Sequence, residues 1–398
     1  MMSILQNIKG DKGIWGVFTI LAVVSFLPMY SASSFLVNVQ GKGSTSGILI
    51  KHALILILGF VVLYVVHKIP YRYFSGGSTL MLPVVFILLL YTLSQGTTIG
   101  GATASRWITI PFVGVSFQTS ALAGLVVMVY VARYFSRRKD EEIDFKDSFW
   151  KLWAPIGLII LTILPANFST SALLFFSVLI LSVLGGYPLK YVANILGISF
   201  IALILFIFVG RAVSSGVRVK TETWKNRLLN FNDTNPKDTY QVEKAKMAIA
   251  TGGIFGLGGG KSKMKNFLPQ SSSDFIYAII VEEYGLVGGI GIIFLYSWLL
   301  FRFYVVAKNA NTVFATLLVI GVGFPIIFQA IINMAVASNI MPVTGQTLPL
   351  LSSGGSSIWM TCIAIGIVLS VSATKSEVDV NLELNDENPL DVLYEAVD

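Results

Sequence analysis

Carboxylates are scarce between residues 148 and 376 of this sequence, and one of them stands where a polar segment becomes apolar. Asp274 follows a run of serines and precedes a long apolar stretch. A carboxylate at such a boundary could act as a general base toward a hydroxyl group. A helix N-cap explains the same residue without any chemistry, because aspartate before an apolar run is typical of a helix start. Between residue 148 and residue 376 the acids are Glu222, Asp233, Asp238, Glu243, Asp274, Glu282 and Glu283.

Two of these acids, Glu282 and Glu283, are adjacent within the apolar stretch. Ionisable groups inside a membrane helix are costly, and they usually face a cavity or a partner. Neighbouring residues on a helix point about 100° apart, so we expect at most one of the pair to face a substrate groove. We take Glu283 as the candidate for substrate contact.

A glycine-rich segment, GGIFGLGGGKSK at residues 252–263, precedes these acids. It is not a nucleotide-binding P-loop, because Phe255 stands where that motif requires its first glycine. Glycines nevertheless let backbone N–H groups approach an anion closely. Lys261, Lys263 and Lys265 follow at once, so the segment is a weaker candidate for an anion site.

A second unusual segment, NIMPVTGQTLPLLSSGGSS at residues 339–357, contains two prolines and three glycines. Non-helical backbone at membrane depth is tolerated only when it is buried in protein or lines a wet cavity. The segment is therefore either a re-entrant loop that walls a substrate groove or an ordinary external hairpin. Its composition alone favours neither alternative.

The elements that must position these residues are membrane helices. The chain has 398 residues, of which 55% are hydrophobic and only 12% charged, whereas soluble domains carry roughly a quarter charged residues. The single cysteine, Cys362, excludes an intramolecular disulfide. We therefore expect an all-α polytopic membrane protein with about ten spans, each of about 20 apolar residues, at residues 14–34, 47–67, 79–95, 118–135, 151–166, 168–186, 190–210, 276–303, 313–337 and 353–373.

The distribution of charge gives the expected orientation. Short loops rich in lysine and arginine alternate with loops that hold few, which favours both termini in the cytoplasm, including the N-terminal residues 1–13. The long loop at about 211–275 then lies outside, and long loops largely escape the charge rule. Residues 374–398 form an acidic segment that we expect to be disordered. The basic remainder of the chain, within a net charge of +7, favours anionic lipid or phosphate partners over nucleic acid.

Four motifs together resemble the SEDS family of polytopic peptidoglycan polymerases, which includes FtsW, RodA and SpoVE. The resemblance extends over about residues 14–373, and it is greatest to the FtsW division branch. The motifs are GATASRWI at 101–108, a block with glutamine, lysine and glycines that begins at Tyr240, LPQSSSDFIYAIIVEEYGLVGG at 268–289, and the segment at 339–357.

The resemblance implies a glycan polymerase that uses lipid II, in which the 4-hydroxyl of one saccharide attacks the anomeric carbon of another with inversion. Asp274 matches the essential aspartate of the family and would be the base. No cofactor is certain, although a divalent cation, Mg or Mn, could assist. The residues expected to bind substrate are Arg106, Arg227, Gln241, Lys246, Lys261, Lys265, Glu283, Thr344 and Ser356.

The same resemblance implies a place and partners for the chain. It predicts a multi-pass protein of the bacterial cytoplasmic (inner) membrane at the division septum, which binds the lipid-linked disaccharide peptide. A class B penicillin-binding protein would be the transpeptidase partner, together with other divisome proteins, and no nucleic acid is expected.

Two family motifs are altered in this chain. Where the family has Gln-Pro-Ser-Glu-x-x-Lys, residues 118–124 read QTSALAG, so Ala121 and Gly124 replace an acid and a base. Both partners are lost together, which avoids stranding a single charge. Where the family has Pro-Asp-x-Gly-Thr, this chain has Asn167 at the aspartate and Ser169 at the glycine.

Two other functions stay open on the sequence. A flippase for lipid-linked oligosaccharide could use Glu282 or Glu283 to relay charge, and internal inverted repeats would favour it. A non-catalytic division scaffold is the second alternative, since two motifs are altered. Incubation of the purified protein with labelled lipid II discriminates among the three.

Overall fold

The computed structural model describes residues 9–38, 44–95, 107–109, 116–139, 141–213, 236–268 and 271–386. The described chain is almost entirely helical, with one small antiparallel hairpin. Its helices are α1 (Lys12–Val24), α2 (Phe26–Asn38), α3 (Thr45–Val66), α4 (Arg72–Gln95), α5 (Thr119–Arg137), α6 (Phe145–Ser148), α7 (Ala154–Ile163), α8 (Phe168–Leu184), α9 (Leu189–Val213), α10 (Pro236–Gly252), α11 (Ile276–Lys308), α12 (Val313–Ala337) and α13 (Gly355–Asp386).

The prediction of an all-α polytopic membrane fold is confirmed. Within the described residues, eight helical segments are long and apolar enough to cross a membrane. They correspond to predicted spans one to four and seven to ten. The predicted fifth and sixth spans are shorter: α7 follows a π-helical turn at Phe149–Trp153, and α8 has 17 residues.

The first predicted span is divided in two at Ser25, which lies between α1 and α2. The Ser25 hydroxyl donates to the Ala22 carbonyl at 2.7 Å and lies 2.8 Å from Nε2 of His52 on α3. At the other end of α1, Asp11 caps the helix and accepts a hydrogen bond from Nε of Arg302 at 2.9 Å. The N-terminal helix is therefore tied to the end of α11.

The core lies around α12 and α13. Helix α12 packs against α11, α5, α13 and α8, while α13 packs against α3. Helix α9 contacts chiefly α8, and most of its side chains are exposed. The hairpin β1 (Trp107–Thr109) and β2 (Ser116–Gln118) pairs Ile108 with Phe117 and leads directly into α5.

Of the two predicted polar segments, the acidic one is corrected. The long loop predicted at 211–275 contains α10 and a short 3₁₀ helix at Met264–Asn266, while residues 214–235 lie outside the described chain. The acidic segment was expected to be disordered from residue 374, but α13 continues to Asp386. Extending an existing helix costs far less than starting one, so the membrane half of α13 carries the polar residues with it. Residues 387–398 lie outside the described chain.

Candidate functional site

Asp274 lies in a turn immediately before α11, and its side chain is almost buried at 9% exposure. The N-cap position of α11 belongs to Phe275, whose side chain makes no capping hydrogen bond. Asp274 precedes the assigned N-cap by one residue. Its interpretation as a helix cap and its interpretation as a general base both stay predictions.

The backbone carbonyls of Asp274 and of the two residues before it are bound from outside their own segment. Ser353 donates its N–H to the Ser272 carbonyl at 2.9 Å, and Ser352 donates its hydroxyl to the Ser273 carbonyl at 2.6 Å. The Asp274 carbonyl accepts from Nδ2 of Asn333 at 2.9 Å. Three successive carbonyls before α11 are thus bound by residues that come 59 or more positions later in the chain.

The segment between α12 and α13 forms the wall beside Asp274. Leu348, Leu350 and Leu351 in this segment are buried, so it folds inward against protein and is not an external hairpin. Gly345 has a φ of +70°, and a Cβ added there would lie 3.7 Å from Oδ2 of Asp274. Thr344, one of the predicted binding residues, is the neighbour of Gly345 in this segment. Its Oγ1 is buried and has no hydrogen-bond partner among the described residues.

Glu282 and Glu283 are both fully buried and bind the chain that follows the glycine run. Glu282 accepts backbone N–H groups from Lys263 at 2.8 Å and Met264 at 3.1 Å, and it also accepts the Ser262 hydroxyl. Glu283 accepts the Ser262 N–H at 3.1 Å and the hydroxyl of Ser31 from α2. The carboxylates serve as acceptors for an internal loop, so substrate contact by Glu283 does not fit this placement.

The glycine run packs against a break in α11 at Gly285, which has φ +67° and ψ −168°. Leu286 and Val287 lose their helical acceptors and donate instead to the carbonyls of residues 253 and 254, at 2.9 and 3.2 Å. Leu257 and Gly258 donate to the carbonyls of Glu282 and Glu283, at 3.0 and 2.9 Å. These bonds satisfy the backbone groups that the break exposes. The glycines therefore approach another backbone, and the expected anion site within the run is not formed.

Close approach explains why glycine is required on both sides of this contact. A Cβ on Gly256 would lie 2.1 Å from the Glu283 carbonyl oxygen, and one on Gly285 would lie 2.2 Å from that of Ile254. Both distances are far inside van der Waals contact. Residues 252–258 and the break in α11 therefore form one packed unit.

The predicted cationic residues are distributed around this unit. Lys261 is exposed just after the glycines, and Lys265 donates its Nζ to the Gly260 carbonyl at 2.6 Å. On α10, Lys246 is exposed and Gln241 is half-buried. Arg106 and Arg227 lie outside the described residues.

Ser356 does not face an open groove. Its side chain is fully buried at the start of α13, and its hydroxyl accepts the N–H of Gln118 at 3.1 Å. The prediction that Ser356 binds substrate is therefore corrected: the residue joins the N-terminus of α13 to the strand that leads into α5.

The two altered motifs meet at a small cavity of about 20 Å³, which is large enough for one water molecule. Its polar lining comes from hydroxyl groups and one amide, that of Asn167, which also caps α8 through the N–H of Thr170 at 3.3 Å. The hydroxyl oxygens of Thr92 and Thr119, which both line the cavity, lie 3.0 Å apart. The side chains that the two altered motifs contribute to this cavity are therefore all neutral. The cavity is lined by Leu89, Thr92, Leu93, Thr119, Ser120, Thr162, Ile163, Ala166 and Asn167.

Metal ligands do not cluster in the described part of the chain, where no three histidine, cysteine or acidic side chains converge. The carboxylates of Glu282 and Glu283 are already bound to Ser262 and its neighbours.

Several residues that build the site were missed by the sequence reasoning. Asn333 is an amide within an apolar helix, and such a residue usually has a buried partner, so this signal was available. Ser31 and Ser352 carry no comparable signal, because serine is common in membrane helices and loops. Their partners lie far away in the sequence.

The chain was compared with known proteins. The sequence model of the FtsW, RodA and SpoVE family, described as a cell cycle protein, matches residues 11–377. A probable peptidoglycan glycosyltransferase FtsW from Saccharophagus degradans is 32% identical over 389 residues, which cover 95% of this chain and 94% of that protein. The stage V sporulation protein E of Bacillus subtilis is 29% identical and covers 89% of this chain and 94% of its own.

Solved structures show the same architecture. A chain from a peptidoglycan synthase complex, studied for the structural coordination of polymerization and crosslinking, superposes with a TM-score of 0.71 at 23% identity, covering 92% of this chain and 98% of that chain. The rod shape determining protein RodA of Thermus thermophilus superposes with a TM-score of 0.64 at 23% identity, covering 92% and 97% of the two chains. These likenesses establish the fold.

Proposed function

The chain belongs to the FtsW, RodA and SpoVE family of cell cycle proteins, and from this premise we infer that it is a peptidoglycan glycosyltransferase that polymerises lipid II into glycan strands. Relatives at 30–32% identity over nearly the whole chain are named probable peptidoglycan glycosyltransferase FtsW. The observation that carries the proposal is the placement of Asp274 beside an inward-folded loop, with its own carbonyl and the two carbonyls before it held by α12 and by that loop.

The proposed reaction is an inverting displacement. The 4-hydroxyl of the acceptor saccharide attacks the anomeric carbon of a second saccharide linked to undecaprenyl diphosphate. The new glycosidic bond forms as the bond to the diphosphate breaks, and the hydroxyl proton passes to the Asp274 carboxylate. The undecaprenyl diphosphate leaves with the bonding electron pair.

The leaving diphosphate needs positive charge nearby, since it carries off additional negative charge. We assign this role to Lys261 and Lys265, which follow the packed glycine unit, together with Arg106, Arg227 and Lys246. Gln241 and Thr344 are the neutral candidates for contact with the saccharides. A divalent cation, Mg or Mn, could add charge at the same diphosphate.

The place and partners of the reaction follow from the same proposal. The protein acts in the bacterial cytoplasmic membrane with both termini in the cytoplasm, and it contributes to septal wall synthesis during cell division. A class B penicillin-binding protein crosslinks the strands that it makes, and other divisome proteins assemble with the pair. The support for a transpeptidase partner is the fold shared with a chain of a peptidoglycan synthase complex.

The proposal is tested with the purified full chain, its cognate class B penicillin-binding protein and fluorescent lipid II. We expect glycan strands that disappear on muramidase digestion. Movement of lipid II across vesicle membranes without strands would indicate a flippase. Neither activity, in a complex that still assembles, would indicate a scaffold.

Asp274→Asn tests the base directly. Asparagine retains the size and one acceptor oxygen but takes up no proton, so strand formation should fall about 10²- to 10⁴-fold. Glu243→Gln is the matched control, because Glu243 is an exposed acid on α10 of the same outer segment and its neutralisation should leave the rate unchanged. An Asp274→Asn protein that polymerises within a few-fold of the parent removes Asp274 from the role of base.

A further inference from the structure

A buried amide on α12 joins the backbone of Asp274 to the loop wall beside it. The side chain of Asn333 is 1% exposed. Its Nδ2 donates to the Asp274 carbonyl at 2.9 Å and to the Gln346 carbonyl at 2.7 Å. Both amide hydrogens are thus used, and one planar group fixes two segments that are distant in the sequence.

The two carbonyls held by Asn333 are those that set the geometry around the carboxylate. One belongs to Asp274 itself. The other belongs to the residue after Gly345, whose α-carbon faces Oδ2 of Asp274. Gln346 is anchored further by its side chain, which donates to the Thr170 hydroxyl at 2.9 Å. Asn333 therefore controls both the position of the carboxylate and the wall that faces it.

A second amide one turn earlier on α12 provides a contrast. Nε2 of Gln329 donates to the Thr347 carbonyl at 2.8 Å and lies 3.3 Å from the Thr347 hydroxyl. Gln329 holds the same loop but donates to no group of Asp274. The two amides thus separate general support of the loop from direct support of Asp274.

We propose that Asn333 is a positioning residue for glycan polymerisation, which holds the Asp274 carboxylate at the correct distance from the acceptor hydroxyl. The inference rests on the proposed function, in which Asp274 is the base. A base must lie within about 3 Å of the proton that it takes, and a misplacement of about 1 Å can cost about 10²-fold in rate. Asn333 acts through the backbone of Asp274 and touches no substrate.

The test compares Asn333→Leu with Gln329→Met in the full chain with its transpeptidase partner. Leucine has a similar shape to asparagine, and Oδ1 of Asn333 accepts no hydrogen bond from the described residues, so the change removes the two donated bonds. We expect kcat to fall about 10- to 100-fold, and the KM for lipid II to change less than kcat does, because Thr344 is the one candidate for substrate contact in the segment that Asn333 holds. Gln329→Met should retain kcat within about threefold.

Hydrogen exchange of the backbone amides provides a readout that needs no catalysis. Asn333→Leu should accelerate exchange in both 271–276 and 344–348, whereas Gln329→Met should accelerate it in 344–348 alone. If the parent protein makes no glycan, the proposed function is wrong, and the exchange pattern alone then decides whether Asn333 holds Asp274.

The proposal is overturned by a folded Asn333→Leu protein whose kcat stays within threefold of the parent, or by equal loss of kcat in both variants. If Asn333→Leu does not fold, Asn333→Ser takes its place, since serine keeps one hydrogen for one of the two carbonyls. A kcat for Asn333→Ser within threefold of the parent also overturns the proposal.

Discussion

The two buried glutamates are not equivalent, and the difference can be measured. Both oxygens of the Glu282 carboxylate accept hydrogen bonds, from two N–H groups and one hydroxyl. Only Oε1 of Glu283 does so, and its Oε2 has no partner among the described residues. A glutamine at 283 can therefore keep every bond by turning its NH₂ toward the Oε2 position. A glutamine at 282 must present NH₂ to the Ser262 hydroxyl.

The magnitude follows from the kind of bond that is lost. A hydrogen bond to a charged group contributes about 1.5–3 kcal/mol and one between neutral groups about 0.5–1.5 kcal/mol. Neutralising Glu282 weakens two N–H bonds by about 1 kcal/mol each and forces the Ser262 hydroxyl to turn, a total of about 2–3 kcal/mol. Both glutamates are fully buried, so water does not screen these bonds. Neutralising Glu283 weakens its bonds from Ser31 and Ser262 but also removes a buried charge whose second oxygen is unbonded, so the two effects oppose each other and the net change is smaller than at Glu282.

Hydrogen exchange of the amides at 257–266 measures this difference. Since about 1.4 kcal/mol is a factor of ten, Glu282→Gln should open this loop about 30- to 100-fold more often than the parent. Glu283→Gln is the matched control and should stay within about threefold. Equal exchange in the two variants, or faster exchange in Glu283→Gln, would refute the assignment of the bonds.

Two further predictions concern the break in α11 and the start of α13. Gly285→Ala should prevent recovery of monodisperse protein in detergent, because its Cβ would overlap the Ile254 carbonyl, while Gly291→Ala in the same helix, where no atom lies within 4 Å of an added Cβ, should behave as the parent does; normal yield of Gly285→Ala would contradict the packing described. Ser356→Ala should lower the melting temperature by leaving the Gln118 N–H without its acceptor, at a cost of about 1–3 kcal/mol, yet leave the KM for lipid II unchanged; a raised KM would return Ser356 to the binding site.

Hydropathy was sufficient to predict the fold, because membrane helices must satisfy their own backbone and therefore appear as long apolar runs. Hydropathy did not predict the points at which a helix is interrupted while the composition of the chain stays the same. Ser25 divides an apolar run whose hydropathy gives no sign of the division, and Gly285 is one of many glycines in its region. The continuation of α13 to Asp386 was missed for the opposite reason, because the composition of that segment changes but the helix does not.

The candidate site was only partly predictable because residue type does not reveal the partner. Because a buried charge is costly, the sequence correctly indicated that Glu283 has a partner. It did not identify the partners, which are Ser31, 252 positions earlier, and Ser262. Glycines at 252–258 correctly indicated close approach, yet the sequence does not distinguish an anion from another backbone. The position of Asp274 next to the segment at 339–357 required the folded chain, since it depends on contacts across three helices.

The hydrogen bonds that seal the break in α11 and those that hold the backbone of Asp274 can form at different times during synthesis of the chain. The bonds that seal the break come from residues 253–258, which are synthesised before α11 itself. A chain that has just inserted α11 already holds every described group that donates a hydrogen bond to the carboxylates of Glu282 and Glu283. The carbonyls of residues 272–274 must wait for residues 333, 352 and 353, which arrive about 60 to 80 residues later, or several seconds at about 5–20 residues per second. A chain interrupted before residue 333 can therefore form the hydrogen bonds of its glutamates but lacks all three groups that hold the backbone of residues 272–274.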